Sequence, residues 1–262
     1  MSRVGFFTDT SVCIGCKACE VACKEWNGVP DDGLDWTGDS YDNSVDLGAN
    51  RWRHVSFVEQ LIDPKAGAPA AAQPEFRWLM SSDVCKHCTH AACLDVCPTG
   101  ALFRTEFGTV VVQPDVCNGC GYCVPACPFG VIDRREDDGR AWKCTLCYDR
   151  LKGDLEPACA KACPTDSIQF GELEVLRVRA RERVEELHER GVGEARLYGD
   201  DPNDGVGGAG AFFLLLDDPE VYGLPPDPVA GTRELPAMWA SAAAAAALLG
   251  AGVAAALRGG RR

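Results

Sequence analysis

Positive charge is scarce in this sequence: 26 Lys and Arg stand against 39 Asp and Glu, a formal net charge of −13 at pH 7. A field of that sign argues against nucleic acid as a partner. Met1 to Thr10 hold one basic residue and no apolar run, so no Sec-type signal is expected. Gly205 to Gly210 is glycine-rich, but no helix with a Walker lysine follows; the stretch reads as a turn, not a phosphate cradle. No catalytic triad and no pair of carboxylates asks for explanation.

What the chain has in abundance is cysteine, sixteen in 262 residues, in four groups of four. The third group reads Cys-Asn-Gly-Cys-Gly-Tyr-Cys-Val-Pro-Ala-Cys-Pro, with Cys117, Cys120, Cys123 and Cys127 ahead of Pro128. This is the bacterial ferredoxin run, in which three thiolates hold one [4Fe–4S] cluster and the fourth reaches another. Gly119 and Gly121 let the backbone wrap the cluster and aim amide N–H groups at it. The first group, Cys13, Cys16, Cys19 and Cys23, has the same gaps but is followed by Lys24. The second, Cys85, Cys88, Cys93 and Cys97, ends on Pro98 and has a wider middle gap near His87 and His90. The fourth, Cys144, Cys147, Cys159 and Cys163, ends on Pro164, with eleven residues between its second and third members.

Quartets this tight suit disulfide pairing poorly, and disulfides belong mainly to small secreted domains. Zinc sites pair two separated C-x2-C knuckles and have no need of three thiolates in seven residues. The triplet, the x3 gap and the trailing proline favour clusters. Four clusters of about −2 each would take the loaded chain to about −21.

The crossed fourth ligand sets the expected pairing. Neighbouring groups two and three form one unit: Cys85, Cys88 and Cys93 with Cys127, and Cys117, Cys120 and Cys123 with Cys97. Groups one and four form the other: Cys13, Cys16 and Cys19 with Cys163, and Cys144, Cys147 and Cys159 with Cys23. The expected fold is α+β, two nested ferredoxin-like units with a C-terminal helix. Residues 1–24 with 140–171 make the outer unit and 84–139 the inner one. Residues 25–83 are inserted loop and strand, and 172–236 an amphipathic helix with an extended docking segment. Residues 237–257 are a transmembrane candidate, and 258–262 a basic tail.

Within that plan, Trp52–Leu61 and Glu75–Met80 read as a strand pair around a turn at Asp63–Pro74, and Gly108–Gln113 as a strand. Trp26, Trp36, Tyr41 and Trp52 need somewhere to pack. Leu173, Leu176, Ala180, Val184 and Leu187 recur at helical spacing within Gly171–Arg190. Ala211–Leu216 reads as a short strand and Pro219–Pro236 as a tether. Ala237–Leu257 carries no charge over twenty-one residues, but twelve are alanine. It reads as a membrane span or as an alanine-rich helix docked on a partner. Trp239 at one end and Arg258, Arg261 and Arg262 at the other have the character of interfacial anchors, and positive-inside logic puts the C-terminus in the cytoplasm. His87 and His90 lack ligand spacing and read as loop or supporting residues. Lys86, Lys143 and Arg150 either offset cluster charge or are simply solvated.

Cys13–Asn27, Lys143–Arg150 and Glu156–Cys159 together resemble the iron–sulfur beta subunit of respiratory, membrane-bound formate dehydrogenase. Tyr41–Asn43, Gly205–Gly208, Tyr222–Pro225 and the terminal apolar segment extend the likeness. The four-cluster motif alone is shared with other electron-transfer subunits of the molybdopterin oxidoreductase family. In nitrate reductase relatives a tryptophan replaces one ligand of the third group; Cys120 keeps that position here. The resemblance implies a relay rather than a catalyst, with four [4Fe–4S] clusters between a molybdopterin-containing alpha subunit and a cytochrome b type gamma subunit. By the same likeness the Cys163 cluster lies nearest the catalytic partner, then those completed by Cys23, Cys127 and Cys97. The C-terminal helix would meet lipid, and a cluster domain outside the cytoplasm would be exported with a partner carrying a twin-arginine signal.

Overall fold

The computed structural model describes residues 2–31, 33, 36–38, 41–62 and 75–259. The turn expected at Asp63–Pro74 and the terminal Arg261 and Arg262 lie outside these residues. In chain order the elements are β1 (Val4–Asp9), α1 (Ala18–Asn27), β2 (Arg53–Ile62), β3 (Glu75–Val84), α2 (Ala92–Asp95), β4 (Leu102–Arg104), β5 (Val110–Val112) and α3 (Cys123–Ala126). There follow β6 (Asp133–Arg134), β7 (Ala141–Trp142), α4 (Tyr148–Lys152), α5 (Ala158–Lys161), β8 (Ile168–Glu172), α6 (Leu173–Glu189), β9 (Arg196–Tyr198), β10 (Ala211–Leu215) and α7 (Leu235–Gly259).

A four-stranded sheet in the order β8-β1-β10-β9 joins the two ends of the chain. Its centre is β1, parallel to β10 and antiparallel to β8. Phe6 and Phe7 on β1 are both fully buried, one on each face. That two-sided burial removes the polar alternation by which a strand is read from sequence. Phe7 stacks on Phe212 and joins Leu173, Leu176, Ala180 and Leu187 of α6, the apolar stripe expected of that helix. Arg177, between those positions, is buried as well. Phe6 faces the other way, into a core that contains five buried cysteines, Cys19, Cys23, Cys85, Cys144 and Cys159.

The helix that carries the third cysteine of each group has a length set by one residue. Pro98, Pro128 and Pro164 follow the last cysteines of three groups, and α2, α3 and α5 are four residues each. Proline disfavours helical geometry in the residue before it. In the first group Lys24 stands there, and α1 runs on for ten residues to Asn27.

The expected strand pair forms as β2 and β3, with β3 extending to Val84 beside the second group. Trp52 is buried and stacks on Trp142, and Tyr41 meets Phe57 and Trp78. Trp36 is 87 % exposed, so the expectation that it packs inside this chain is not met. The segment read as a tether is instead folded. It makes two 3₁₀ turns, Pro219–Tyr222 and Gly231–Glu234, and buries Tyr222, Leu224 and Ala230. The Tyr222 hydroxyl accepts the Leu216 N–H at 3.1 Å, which holds this stretch against the sheet.

The last helix, α7, is exposed along its whole described surface. The stretch Gly231–Leu257 is long and apolar enough to cross a membrane: its most apolar eighteen residues have a mean hydropathy of 1.9, and none of those is buried. A helix apolar on every side is soluble only if something apolar covers it.

The centre of the sheet offers a direct test. A Cβ on Gly5 would lie 2.0 Å from the Gly210 carbonyl oxygen, backbone that cannot swing aside. Gly171 is paired with Gly5 in the register, yet its Cβ would meet only the Leu176 side chain at 3.8 Å. Gly5→Ala is expected to lower stability by about 1–3 kcal/mol, and Gly171→Ala by less than about 0.5 kcal/mol. Urea unfolding of the iron-loaded chain, followed by circular dichroism, reads both; equal losses would show that the close approach is not decisive.

Candidate metal centres

The four cysteine loops share a backbone device that their side chains do not announce. The residue two places after the first cysteine has positive φ in every group: Gly15 (64°), His87 (45°), Gly119 (74°) and Leu146 (56°). A left-handed residue turns successive amides to the same side, the arrangement that cradles anions and iron–sulfur clusters. Glycine adopts it without strain, whereas His87 and Leu146 hold it at a cost met by their surroundings. His87 is buried and its Nδ1 accepts the Val110 N–H at 3.1 Å. Leu146 donates its N–H to Cys144 Sγ at 3.2 Å. At Gly119 a side chain is also excluded, because its Cβ would lie 2.5 Å from the Gly139 carbonyl oxygen.

Folding brings thiols from different groups together. One small cavity is lined by Cys13, Cys16, Cys19 and Cys163. Burial pushes the Cys13 thiol up, and Cys19 and Cys163 add to it. Cys23 is driven far up by burial and then by Cys144, Cys159 and Cys147. Burial likewise raises Cys88, with Cys85, Cys127 and Cys93 as the neighbours that add to it. Cys123 is pushed up to about 11 by burial, with Cys117, Cys120 and Cys97 contributing. Between these sets, Cys19 is raised by Cys159, Cys144 by Cys85, and Cys93 by Cys123, each after burial itself. These neighbours link the four groups in one file, first to fourth to second to third. Cys16 and Cys120 are the exposed members.

Buried thiols that repel one another stay protonated unless a cation compensates them. The donor set is all thiolate, which suits iron–sulfur clusters or zinc. Among the described residues no three His, Cys, Asp or Glu side chains are close enough to hold a single metal ion.

Cations in the core point the same way. Arg53 is 3 % exposed and lies among Cys159, Cys19, Cys144 and Cys23; burial opposes its charge, but these thiolates raise its pKa above the ordinary arginine value. Its Nη1 donates to Ser82 Oγ at 2.9 Å, and Ser82 Oγ lies 3.2 Å from Cys19 Sγ. Its Nε and Nη2, and Nε2 of His87, are buried without a hydrogen-bond partner among the described residues, as donors beside a sulfide-bearing cluster would be. Asn27, at the end of the long α1, places Nδ2 3.7 Å from both Cys23 Sγ and Cys147 Sγ. The residues present fit [4Fe–4S] clusters.

Lys86, Lys143 and Arg150, for which solvation was one of two readings, are all buried. Lys86 pairs with Asp83 and sits 5.1 Å from the ring centres of Phe129 and Phe213. Arg150 donates to the Glu156 carbonyl at 2.6 Å and stacks on Trp26. Lys143 donates to Cys85 Sγ at 3.5 Å; burial works against its charge, but Cys85, Cys93 and Cys144 raise its pKa. His90 is an exposed loop residue, bonded through its N–H to the Val206 carbonyl. Sequence reasoning missed Arg53, Ser82 and Asn27. An arginine opening the run Arg-His-Val-Ser-Phe-Val is the available signal for the first.

Quartets of thiols on left-handed loops, some of them fully buried, with cations threaded between them, define an iron–sulfur protein of the multi-cluster ferredoxin class. Residues 12–101 and 76–173 each match a family described as a 4Fe-4S dicluster domain. The matches overlap across the second cysteine group, so they do not by themselves say which groups pair. The formate dehydrogenase iron-sulfur subunit of Haemophilus influenzae is 43 % identical over 224 residues, 84 % of this chain and 68 % of that protein. The nitrate-inducible formate dehydrogenase iron-sulfur subunit of Escherichia coli is 41 % identical over 87 % of this chain and 74 % of its own length. One subunit of the anaerobic dimethyl sulfoxide reductase of Escherichia coli is 35 % identical over 67 % of this chain and 77 % of that protein. The chain thus belongs to the family of formate dehydrogenase iron–sulfur subunits, and its role is electron transfer.

Proposed function

We propose that the chain is the electron relay of a formate-oxidising complex and holds four [4Fe–4S] clusters. When bound, such clusters supply one-electron storage and exchange. The ligand sets are Cys13, Cys16, Cys19 and Cys163; Cys144, Cys147, Cys159 and Cys23; Cys85, Cys88, Cys93 and Cys127; and Cys117, Cys120, Cys123 and Cys97. The observation that carries this reading is the unbroken file of thiols, whose junctions are Cys19 with Cys159, Cys144 with Cys85, and Cys93 with Cys123. It supports two nested units, 1–24 with 140–171 around 84–139.

The chain's own residues then have distinct tasks. The left-handed loops orient amides at the sulfurs. Arg53 and Lys143 hold positive charge beside thiolates in the absence of water. The sheet around β1 holds the first and fourth groups in one body. Family likeness supplies the direction: a molybdopterin-containing catalytic subunit lies at the Cys163 end and a cytochrome b type, quinone-reducing subunit at the Cys97 end. Residues 237–257 of α7 cross the membrane in contact with lipid. The basic Arg258, Arg261 and Arg262 lie on the cytoplasmic side and the cluster domain outside.

Three measurements test this. Formate added to the complex purified with its large subunit is expected to bleach the iron–sulfur absorbance; reoxidation of the reduced complex by dimethyl sulfoxide, with no response to formate, would instead put the chain with the reductase relatives. Cys127→Ser is expected to alter or remove the EPR signal of the centre built on Cys85, Cys88 and Cys93 while that of the Cys117 centre persists. Loss of the Cys117 centre alone would refute the crossed ligands. Protease added to spheroplasts is expected to digest the cysteine domain, and full protection in sealed spheroplasts that release a periplasmic control would reverse the orientation.

A further inference from the structure

Resting on the ligand sets proposed above, we infer that Lys143 is a shared positioning residue at the joint between the two nested units, a single fixed charge that sets the reduction potentials of both clusters meeting there. It precedes Cys144, the first ligand of one quartet, and its ammonium reaches Cys85, the first ligand of another. An ammonium has three donors, and all three are used. One goes to Cys85 Sγ at 3.5 Å, one to the Cys144 carbonyl at 3.0 Å, and one to the Val110 carbonyl. The side chain is 1 % exposed. Held at three points and shut off from water, the charge cannot swing away as a surface lysine would.

The other buried cations are placed differently. Lys86 is paired with Asp83, which cancels much of its field at a distance. Arg150 faces the Glu156 carbonyl and the Trp26 ring. Arg53 lies among Cys159, Cys19, Cys144 and Cys23, between the first and fourth cysteine groups, and donates to Ser82 Oγ. Among the described residues Lys143 has no carboxylate partner; its acceptors are a sulfur and two carbonyls. Only cluster ligands and backbone dipoles answer its charge.

Adding an electron makes a cluster more negative, and a nearby unscreened positive charge stabilises that state, more strongly where water is excluded. Because Lys143 touches ligands of two clusters, it favours reduction of both. The joint between the units is the point where sequence-distant groups meet, at residues 85 and 144, and the cation there makes it a matched step.

The experiment is a potentiometric titration followed by EPR on the iron-loaded chain in its complex, for wild type, K143M and K143R. K143M is expected to make reduction of two of the four centres harder by tenfold or more in equilibrium constant, about 59 mV for a one-electron couple. The other two centres stay within a third of that. K143R, which keeps the charge, is expected to recover most of the shift. If K143M loses iron, K143Q, which keeps a donor to the two carbonyls, is titrated in its place with the same expectation. No shift, a shift of one centre alone, or an equal shift of all four would overturn the inference. A wild-type protein with fewer than four EPR-active centres would instead sink the ligand sets on which it rests.

Discussion

The interior of this protein is built from sulfur that cannot be ionised without compensation. Cys19, Cys23, Cys85, Cys144 and Cys159 occupy the places that leucine and valine would fill in an ordinary core, beside Phe6, Val55 and Ile168. Burial pushes the thiols of Cys19, Cys23, Cys144 and Cys159 up, and neighbouring thiols add to it, Cys23 and Cys144 most clearly. Iron turns that mutual repulsion into ligation, so cluster binding and folding free energy are one quantity here. The small helices, two-residue ribbons and long loops are consistent with this, since metal–thiolate bonds do the work that apolar contacts do elsewhere.

From that constraint the local architecture follows. Three thiolates close to one face of a cubane require the backbone to turn sharply after the first, and Gly15, His87, Gly119 and Leu146 all do so in the same left-handed way. The proline behind the fourth cysteine then decides how far the helix in that loop can run. Where it is absent, α1 continues and delivers Asn27 to two sulfurs and Trp26 to Arg150. A single difference between the four groups, lysine for proline at position 24, thus adds a hydrogen-bond donor and an aromatic shield to one part of the file.

Much of this was legible in the residues. The cysteine spacing announced clusters, the stripe Leu173, Leu176, Ala180 and Leu187 announced α6, and the β-branched run announced β5. What was not legible has physical reasons. β1 is buried on both faces and carries no alternation, so Val4–Asp9 gave no strand signal. The left-handed conformation was readable at Gly15 and Gly119 but not at His87 and Leu146, whose side chains argue against it. Arg53 looks from sequence like any polar residue opening a strand; only the fold shows that both faces of that strand end are buried, with four thiols around it. Trp36 stays outside because no described residue covers it.

The same sheet that unites the ends of the molecule also governs the order in which it can be made. β1 finds its partners in residues 168–172 and 211–215, so it is synthesised long before either strand it pairs with. Contacts this distant in sequence form slowly. In the proposed nesting, residues 84–139 are complete long before the first and fourth cysteine groups can come together. Biogenesis therefore has a built-in sequence, inner groups first and outer groups last, and the first cysteine loop spends most of translation as an open set of thiols.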